Sequence, residues 1–156
     1  MAADPVTLFR LIDSEDFVGV LALVSVDEIA DAWCQWSVRQ ERGDVPPMNE
    51  SDWFSTDPHW WAVEFWWLVS GRERVAAWEA VARDLLVRLI DHAPSDAVLQ
   101  PIGAGPFEEF IRADENRVRW IEEQTAVSAK FRTALANVWI WREPDRAALR
   151  RATSER

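Results

Sequence analysis

Apolar residues recur every three or four positions along most of this chain, which is the spacing of one face of a helix. The stretches that carry this pattern are preceded by residues that commonly cap helices, namely Asp4, Ser14, Ser25, Asp57, Ser95, Asp114 and Ser128. Ser25 has Glu28 three residues later, the spacing of a capping box, and proline follows both Asp4 and Asp57 at the first helical position. The pattern predicts an all-α protein.

The segment between residues 15 and 26 supports two interpretations. Its apolar side chains from Phe17 to Val24 fit the spacing of a helix over residues 15–24, which Ser14 would cap. The same segment is rich in β-branched residues, which favour a strand. The sequence leaves both structures open.

The strongest helical signal lies in residues 57–92. From Pro58 to Gly71 the chain is apolar nearly all round, so this helix is predicted to be buried at the centre. A longer helix over residues 72–92 follows, and the short link at Gly71 makes the two helices an antiparallel hairpin. The apolar face of the longer helix consists of Val75, Trp78, Ala82, Leu85, Leu86 and Leu89. Its outer face predicts the i,i+4 ion pairs Glu79–Arg83 and Asp84–Arg88.

These elements predict one domain over residues 1–141, an irregular compact bundle of six to eight helices around a central Trp-rich hairpin. Eleven Trp and seven Phe supply the core, because each buried aromatic side chain hides about 150–250 Å². Five glycines are few for a protein built on β-turns. The helical pattern breaks at Glu143-Pro144, and the Arg-rich tail over residues 142–156 is predicted to be disordered.

Three sequence blocks between about residues 60 and 141 resemble a family of uncharacterised bacterial domains. They are the stretch IGAGPFE from Ile102 to Glu108, the preceding helix AWEAVARDLLVRLI with Trp78, and the closing segment FRTALANVW. The first block corresponds to an IGAGP-[LF]-E motif. The resemblance covers roughly half of the chain, and it implies an α-helical domain without implying any activity.

The chain is acidic, and its acids are concentrated near the beginning. The net charge is −10, and residues 1–57 contain three Arg against twelve Asp and Glu. Phosphate contacts need a positive surface, so binding of nucleic acid through the body of the domain is disfavoured. An acidic surface instead attracts a basic protein. The alternative is that the charge serves only to keep the protein soluble.

Two features bear on the location of the protein. The apolar run Phe17–Val26 has ten residues, which is too short to cross a bilayer, and the acids before it have the wrong sign for a secretion signal. Cys34 is the one cysteine in the sequence, so the chain cannot form an internal disulfide, which fits a reducing compartment. We expect it to be a small residue of the core. We expect a cytoplasmic protein that does not insert into a membrane.

A long loop between Gly43 and Asp57 is the first candidate binding site. It combines a Pro pair and several acids with two adjacent aromatic residues, and aromatic side chains anchor many protein interfaces. The candidate partner-binding residues are Asp44, Glu50, Asp52, Trp53 and Phe54. The alternative is that both rings fold back onto the helices as a lid over the core.

Glu64 is the second candidate, because it is ionisable within an otherwise apolar helix and burying its charge unpaired is costly. It either meets an arginine, with Arg74 and Arg83 the nearest in sequence, or lies at an aromatic pocket. A raised pKa there would suit acid–base chemistry. The pocket would combine Glu64 with His59, Trp60, Trp67 and Trp78.

The sequence contains no motif typical of catalysis, metal binding or phosphate binding. Gly103-Ala104-Gly105 lacks the lysine of a phosphate loop and is predicted to form a tight turn between two helices. His59 and His92 lack the spacing of a metal motif, and we expect no metal and no cofactor.

The function that these features favour is a non-enzymatic interaction module, either immunity- or antitoxin-like or an adaptor. It would present a Trp-bearing surface to a basic partner. The alternatives are a small-molecule-binding or enzymatic domain around Glu64, and self-assembly into a homo-oligomer.

Overall fold

The computed structural model describes residues 3–45, 57–70, 76–111 and 115–139, and within these ranges the chain forms helices without any β-strand. The all-α prediction is confirmed. In chain order the elements are α1 (Pro5–Asp13), α2 (Phe17–Leu23), α3 (Val26–Glu41), α4 (Trp60–Ser70), α5 (Ala76–His92), α6 (Asp96–Ile102), a π-helical turn (Gly103–Phe107), α7 (Glu108–Ile111), α8 (Glu115–Val127) and α9 (Ala129–Leu135). The link at Gly71, Val75, the predicted cap Asp114 and the tail over residues 142–156 lie outside the described residues.

Several helices begin at the N-cap residues that the sequence predicted. The side chain of Asp4 accepts backbone N–H groups at the start of α1. Ser25 and Glu28 form the predicted capping box at the start of α3. Ser128 accepts the backbone N–H of Phe131 at 3.3 Å in α9. These starts are set by local hydrogen bonds that satisfy N–H groups which the helix itself leaves unpaired.

The ambiguous segment after α1 is helical, but its cap is Asp16 and not Ser14. Asp16 Oδ1 accepts the backbone N–H of Gly19 at 2.8 Å, which fixes the first turn of α2. Ser14 instead ends α1, and its hydroxyl bonds back to the last turn of that helix. Glu15 lies between them with a φ of 56°, and this left-handed residue reverses the chain between the two helices.

α4 lies at the centre of the bundle, as its apolar sequence predicted. It packs against α1, α3, α5 and the π-helical turn. Phe65 and Trp66 are completely buried, and Trp60 and Trp61 are nearly so. The predicted apolar face of α5 is also buried at Ala82, Leu85, Leu86 and Leu89. α4 and α5 therefore form the Trp-rich centre of the fold.

The GAGP block corrects the prediction of a turn between two helices. Gly103–Phe107 forms a π-helical turn that leads from α6 directly into α7. A Cβ at Gly103 would clash with the backbone oxygen of Ala134 and lie 2.9 Å from Cβ of Asn137. Gly103 thus allows the backbones of the π-helical turn and α9 to approach closely.

A buried arginine joins α4, α5, α7 and α8. Arg117 is 6% exposed, its Nε donates to Oε2 of Glu79 at 2.8 Å, and its Nη2 lies 2.6 Å from the same oxygen in an ion pair. Its Nη1 donates to the backbone oxygens of Ser70 and Phe110. Arg83 Nε donates to the other oxygen of Glu79 at 2.8 Å, which confirms the predicted ion pair.

Candidate interaction surface

The predicted partner-binding loop falls mostly outside the described residues. This applies to Glu50, Asp52, Trp53 and Phe54, so the site they would form stays a prediction. Asp44 is described and is exposed at the end of α3. It follows Gly43, whose φ of 74° ends the helix as predicted, and its backbone N–H donates to the carbonyl oxygen of Arg39 at 2.9 Å.

Trp60, Glu64 and Trp67 lie along one face of α4, and we call these three residues the α4 strip. Their spacing of four and three residues places them one above another on a helix. Trp60 Nε1 donates to Glu64 Oε1 at 2.8 Å. The rings of Trp60 and Trp67 meet edge to face with their centroids 5.2 Å apart. Trp67 is 46% exposed, so the strip reaches the surface at this residue.

A row of indoles from α3 supports the strip from behind. Trp36 packs against Trp60 with the ring centroids 5.3 Å apart, and Trp33 packs against Trp36 at 5.8 Å. All three of these rings are buried. Because the supporting indoles are held on two sides, the exposed ring of Trp67 sits on a rigid base.

The surroundings of Glu64 shift the pKa of its carboxyl group. Partial burial raises the pKa of its carboxyl group, the hydrogen bond from Trp60 lowers it, and the charge of Asp13 at the end of α1 raises it. The net pKa lies above the ordinary value of 4.5. Within the described part of the chain, no cation forms an ion pair with Glu64. Of the two predicted partners, Arg83 binds Glu79 instead and Arg74 lies outside the described residues.

The remaining members of the predicted aromatic pocket make contacts of their own. The backbone N–H of His59 donates to Asp57 Oδ1 at 2.8 Å, and burial lowers the pKa of the His59 ring more than the charge of Asp57 raises it. Trp78 packs edge to face on Phe17 at 4.9 Å, and Phe17 packs on Phe65. Phe65 projects from α4 about 140° around the helix axis from Trp60. The structure thus brings together Glu64, Trp60 and Trp67 only.

The surface of α1 to α3 is acidic, as the charge distribution predicted. The exposed acids of this part are Asp4, Asp13, Glu15, Asp16, Glu28, Asp31, Glu41 and Asp44. Of its arginines, Arg10 and Arg42 are exposed, whereas Arg39 pairs with the buried Asp57 at 3.0 Å. The charge of one of these acids, Asp13 at the end of α1, contributes to raising the pKa of Glu64 in the α4 strip.

A network of polar contacts joins α3 to α5 on another part of the surface. His92 Nδ1 lies 2.6 Å from Asp31 Oδ1, and its Nε2 lies 3.1 Å from Asp27 Oδ1. Arg88 contacts both Asp27 and Asp84 at 3.3 Å, which confirms the predicted pair with Asp84. The described residues contain no group of three His, Cys, Asp or Glu side chains that could hold a metal ion.

Sequence reasoning missed an open groove of about 320 Å³ beside this network. Its walls include Asp31, Cys34, Val38, Arg39 and His92. Arg39 is already paired with Asp57, and the carboxylate of Asp31 already contacts His92.

The thiol of Cys34 in this groove is not activated. Burial raises its pKa to about 12, and its Sγ donates to the backbone oxygen of Leu89 at 3.6 Å. A thiolate is the nucleophilic form, so this cysteine is inert at neutral pH. The groove could not be predicted from the sequence, because it arises from how α3 and α5 pack.

Comparison with known proteins yields no match to a protein-family model, to a curated protein or to a solved structure. The resemblance of the IGAGPFE block therefore stays a prediction. No described helix is both long enough and apolar enough to span a bilayer.

Proposed function

We propose that the chain is a non-enzymatic interaction module of the cytoplasm that binds a basic protein through its acidic surface. The observation that carries the proposal is the position of Trp67. This tryptophan is 46% exposed on a helix whose other residues are mostly buried, and it lies one helical turn from Glu64. Tryptophan is enriched among the residues that anchor protein interfaces.

The acids of α1 to α3 support the same proposal through long-range electrostatics. A surface of one sign raises the rate at which a partner of the opposite sign arrives, and salt screens this attraction. Tight binding then needs a buried anchor as well, because exposed charges alone contribute little. An immunity protein, an antitoxin or an adaptor for a cationic protein would use both features.

The raised pKa of Glu64 favours a second candidate, a small-molecule-binding or enzymatic domain around that residue. Trp60, the neighbour of Glu64, is only 3% exposed and packs between Trp36 and Trp67. A ring in this position fills the core side of the strip, so the accessible part of Glu64 lies towards the surface beside Trp67 and not in an enclosed pocket behind it. This packing favours the interaction module.

The test uses the immobilised full-length chain to capture proteins from an extract of its native host. We expect one stoichiometric protein of basic isoelectric point, released by about 500 mM salt. The triple variant Asp13→Asn, Glu41→Gln, Asp44→Asn removes three exposed acids that cap no helix. It should capture much less of the partner.

The matched control removes the same number of charges elsewhere, in the triple variant Asp91→Asn, Asp96→Asn, Glu123→Gln. These three acids are also exposed. The control should retain the partner. Equal retention by both triple variants would contradict the acidic-surface proposal, and a chain that captures only copies of itself would identify a homo-oligomer instead.

A further inference from the structure

The protein uses one arrangement of side chains twice within its own fold. Glu79 binds Arg83 at 2.8 Å, and the guanidinium of Arg83 lies over the Trp120 ring, 5.3 Å from the centroid. Glu79 also binds Arg117, whose guanidinium lies over the Phe110 ring at 4.5 Å. In both cases a carboxylate and an aromatic ring hold one guanidinium between them.

The α4 strip presents the same carboxylate and aromatic groups, and the described residues supply no cation for them. Glu64 provides the carboxylate, and Trp60 and Trp67 provide the rings beside it. The two sites differ in the direction of their pKa shifts. The arginines outweigh burial and lower the pKa of Glu79, whereas burial and Asp13 outweigh Trp60 and raise the pKa of Glu64.

We propose that the α4 strip receives an arginine side chain of the basic partner, which stacks on Trp67 and binds the carboxylate of Glu64. This arginine site rests on the proposed function and names the residues that would contact the partner. The hydrogen bond from Trp60 uses Oε1 of Glu64, and Oε2 has no partner among the described residues. Trp67, being half exposed, offers ring surface that an incoming side chain can cover.

A guanidinium fits this site better than an ammonium. Its plane stacks on an indole while its N–H groups bind a carboxylate at the edge, whereas an ammonium is a compact, strongly hydrated charge. Arg83 makes this combination of contacts with Trp120 and Glu79. The partner should therefore lose more affinity from an Arg→Lys exchange at the contact than a purely electrostatic contact would.

The experiment titrates the full-length chain, labelled with ¹⁵N at its indoles, with a short peptide containing several arginines. We expect the Nε1–H resonances of Trp60 and Trp67 to shift in a saturable manner. Trp67→Ala and Glu64→Gln should each weaken the binding roughly three- to tenfold. A lysine peptide of equal charge should bind more weakly than the arginine peptide.

Two controls separate this site from the general acidity of the surface. Glu123→Gln removes one exposed charge on α8 and should leave the affinity unchanged. The exposed ring of Trp139 should not respond to the peptide. If the peptide loses affinity for the Asp13, Glu41, Asp44 triple variant but binds Glu64→Gln and Trp67→Ala as it binds wild type, the site assignment is wrong while the acidic-surface function stands. Failure of the peptide to bind wild type at low salt would overturn both.

Discussion

Trp60 donates its indole N–H to Glu64 over 2.8 Å, one turn further along the same helix. The bond holds the carboxyl group at the edge of a row of indoles, where it is partly withdrawn from water. A single hydrogen bond offsets only part of the cost of removing a carboxylate from water. The charged form of Glu64 therefore destabilises the folded state unless a cation forms an ion pair with it.

This cost predicts a stabilising substitution, Glu64→Gln. The pKa of Glu64 is raised above 4.5 in the folded state, so its favourable contribution is complete below that pH and is lost as pH rises through the folded-state pKa. Glutamine keeps an acceptor for Trp60 and carries no charge. Urea unfolding should show the variant to be more stable than wild type at about pH 7 and the difference to vanish near about pH 4. A variant less stable than wild type at neutral pH would contradict this account of Glu64.

Glu79→Gln should have the opposite effect. Burial alone would raise the pKa of Glu79, but Arg117 and Arg83 lower it below 4.5. Its contribution is thus present above that pH and is lost as pH falls through the folded-state pKa. We expect a loss of about 2 kcal/mol in the free energy of unfolding at neutral pH, shrinking in acid. Equal stability of variant and wild type at about pH 7 would show that the buried arginine gains nothing from this carboxylate.

Gly103→Ala tests the close approach of the π-helical turn and α9. The added Cβ would clash with the backbone oxygen of Ala134, which cannot move without shifting α9. We expect a loss of about 1–3 kcal/mol by thermal or urea unfolding. Gly105→Ala is the matched control, because no atom lies within 4 Å of its added Cβ. Gly105→Ala should leave the free energy of unfolding unchanged or raise it slightly. Equal losses of stability in both variants would show that the backbone freedom of glycine matters here and not the close packing at Gly103.

Cys34 should resist alkylation in the folded protein. Its pKa of about 12 leaves almost no thiolate at about pH 8, and its side chain is 5% exposed. Iodoacetamide should modify the native chain slowly and the chain in concentrated urea rapidly, as measured by mass spectrometry. Rapid stoichiometric labelling of native protein would mean that the wall of the groove opens readily.

The sequence was sufficient to predict the helices whose signals are local. The capping box at Ser25 and the N-caps at Asp4 and Ser128 bind N–H groups two or three residues away, so these helix starts could be predicted from the local sequence. The prediction that Ser14 caps α2 was wrong, because Glu15 adopts a left-handed conformation and the N-cap is Asp16. The prediction of a tight turn at the GAGP block was wrong. Gly103 in this block packs closely against α9, which is distant in sequence, so no local signal indicated this contact.

The candidate site was only partly predictable for the same reason. Glu64 could be singled out by its place in an apolar helix, but the sequence left an arginine partner and an aromatic pocket both open. The hydrogen-bond donor Trp60, four residues earlier, was not identified as its partner. The exposure of Trp67 and the pairing of Arg83 with Glu79 depend on how α4 and α5 pack against their neighbours. The groove beside His92 has no local signal at all.

The proposed function requires a basic protein to bind the acidic surface and its tryptophan anchor. The most direct measurement is the dissociation constant of the captured partner, obtained by titration calorimetry at about 50 mM and about 500 mM salt. We predict that the affinity falls at least roughly tenfold over this range and falls further in Trp67→Ala at either salt concentration. An affinity that is unchanged by salt and by Trp67→Ala would contradict the account.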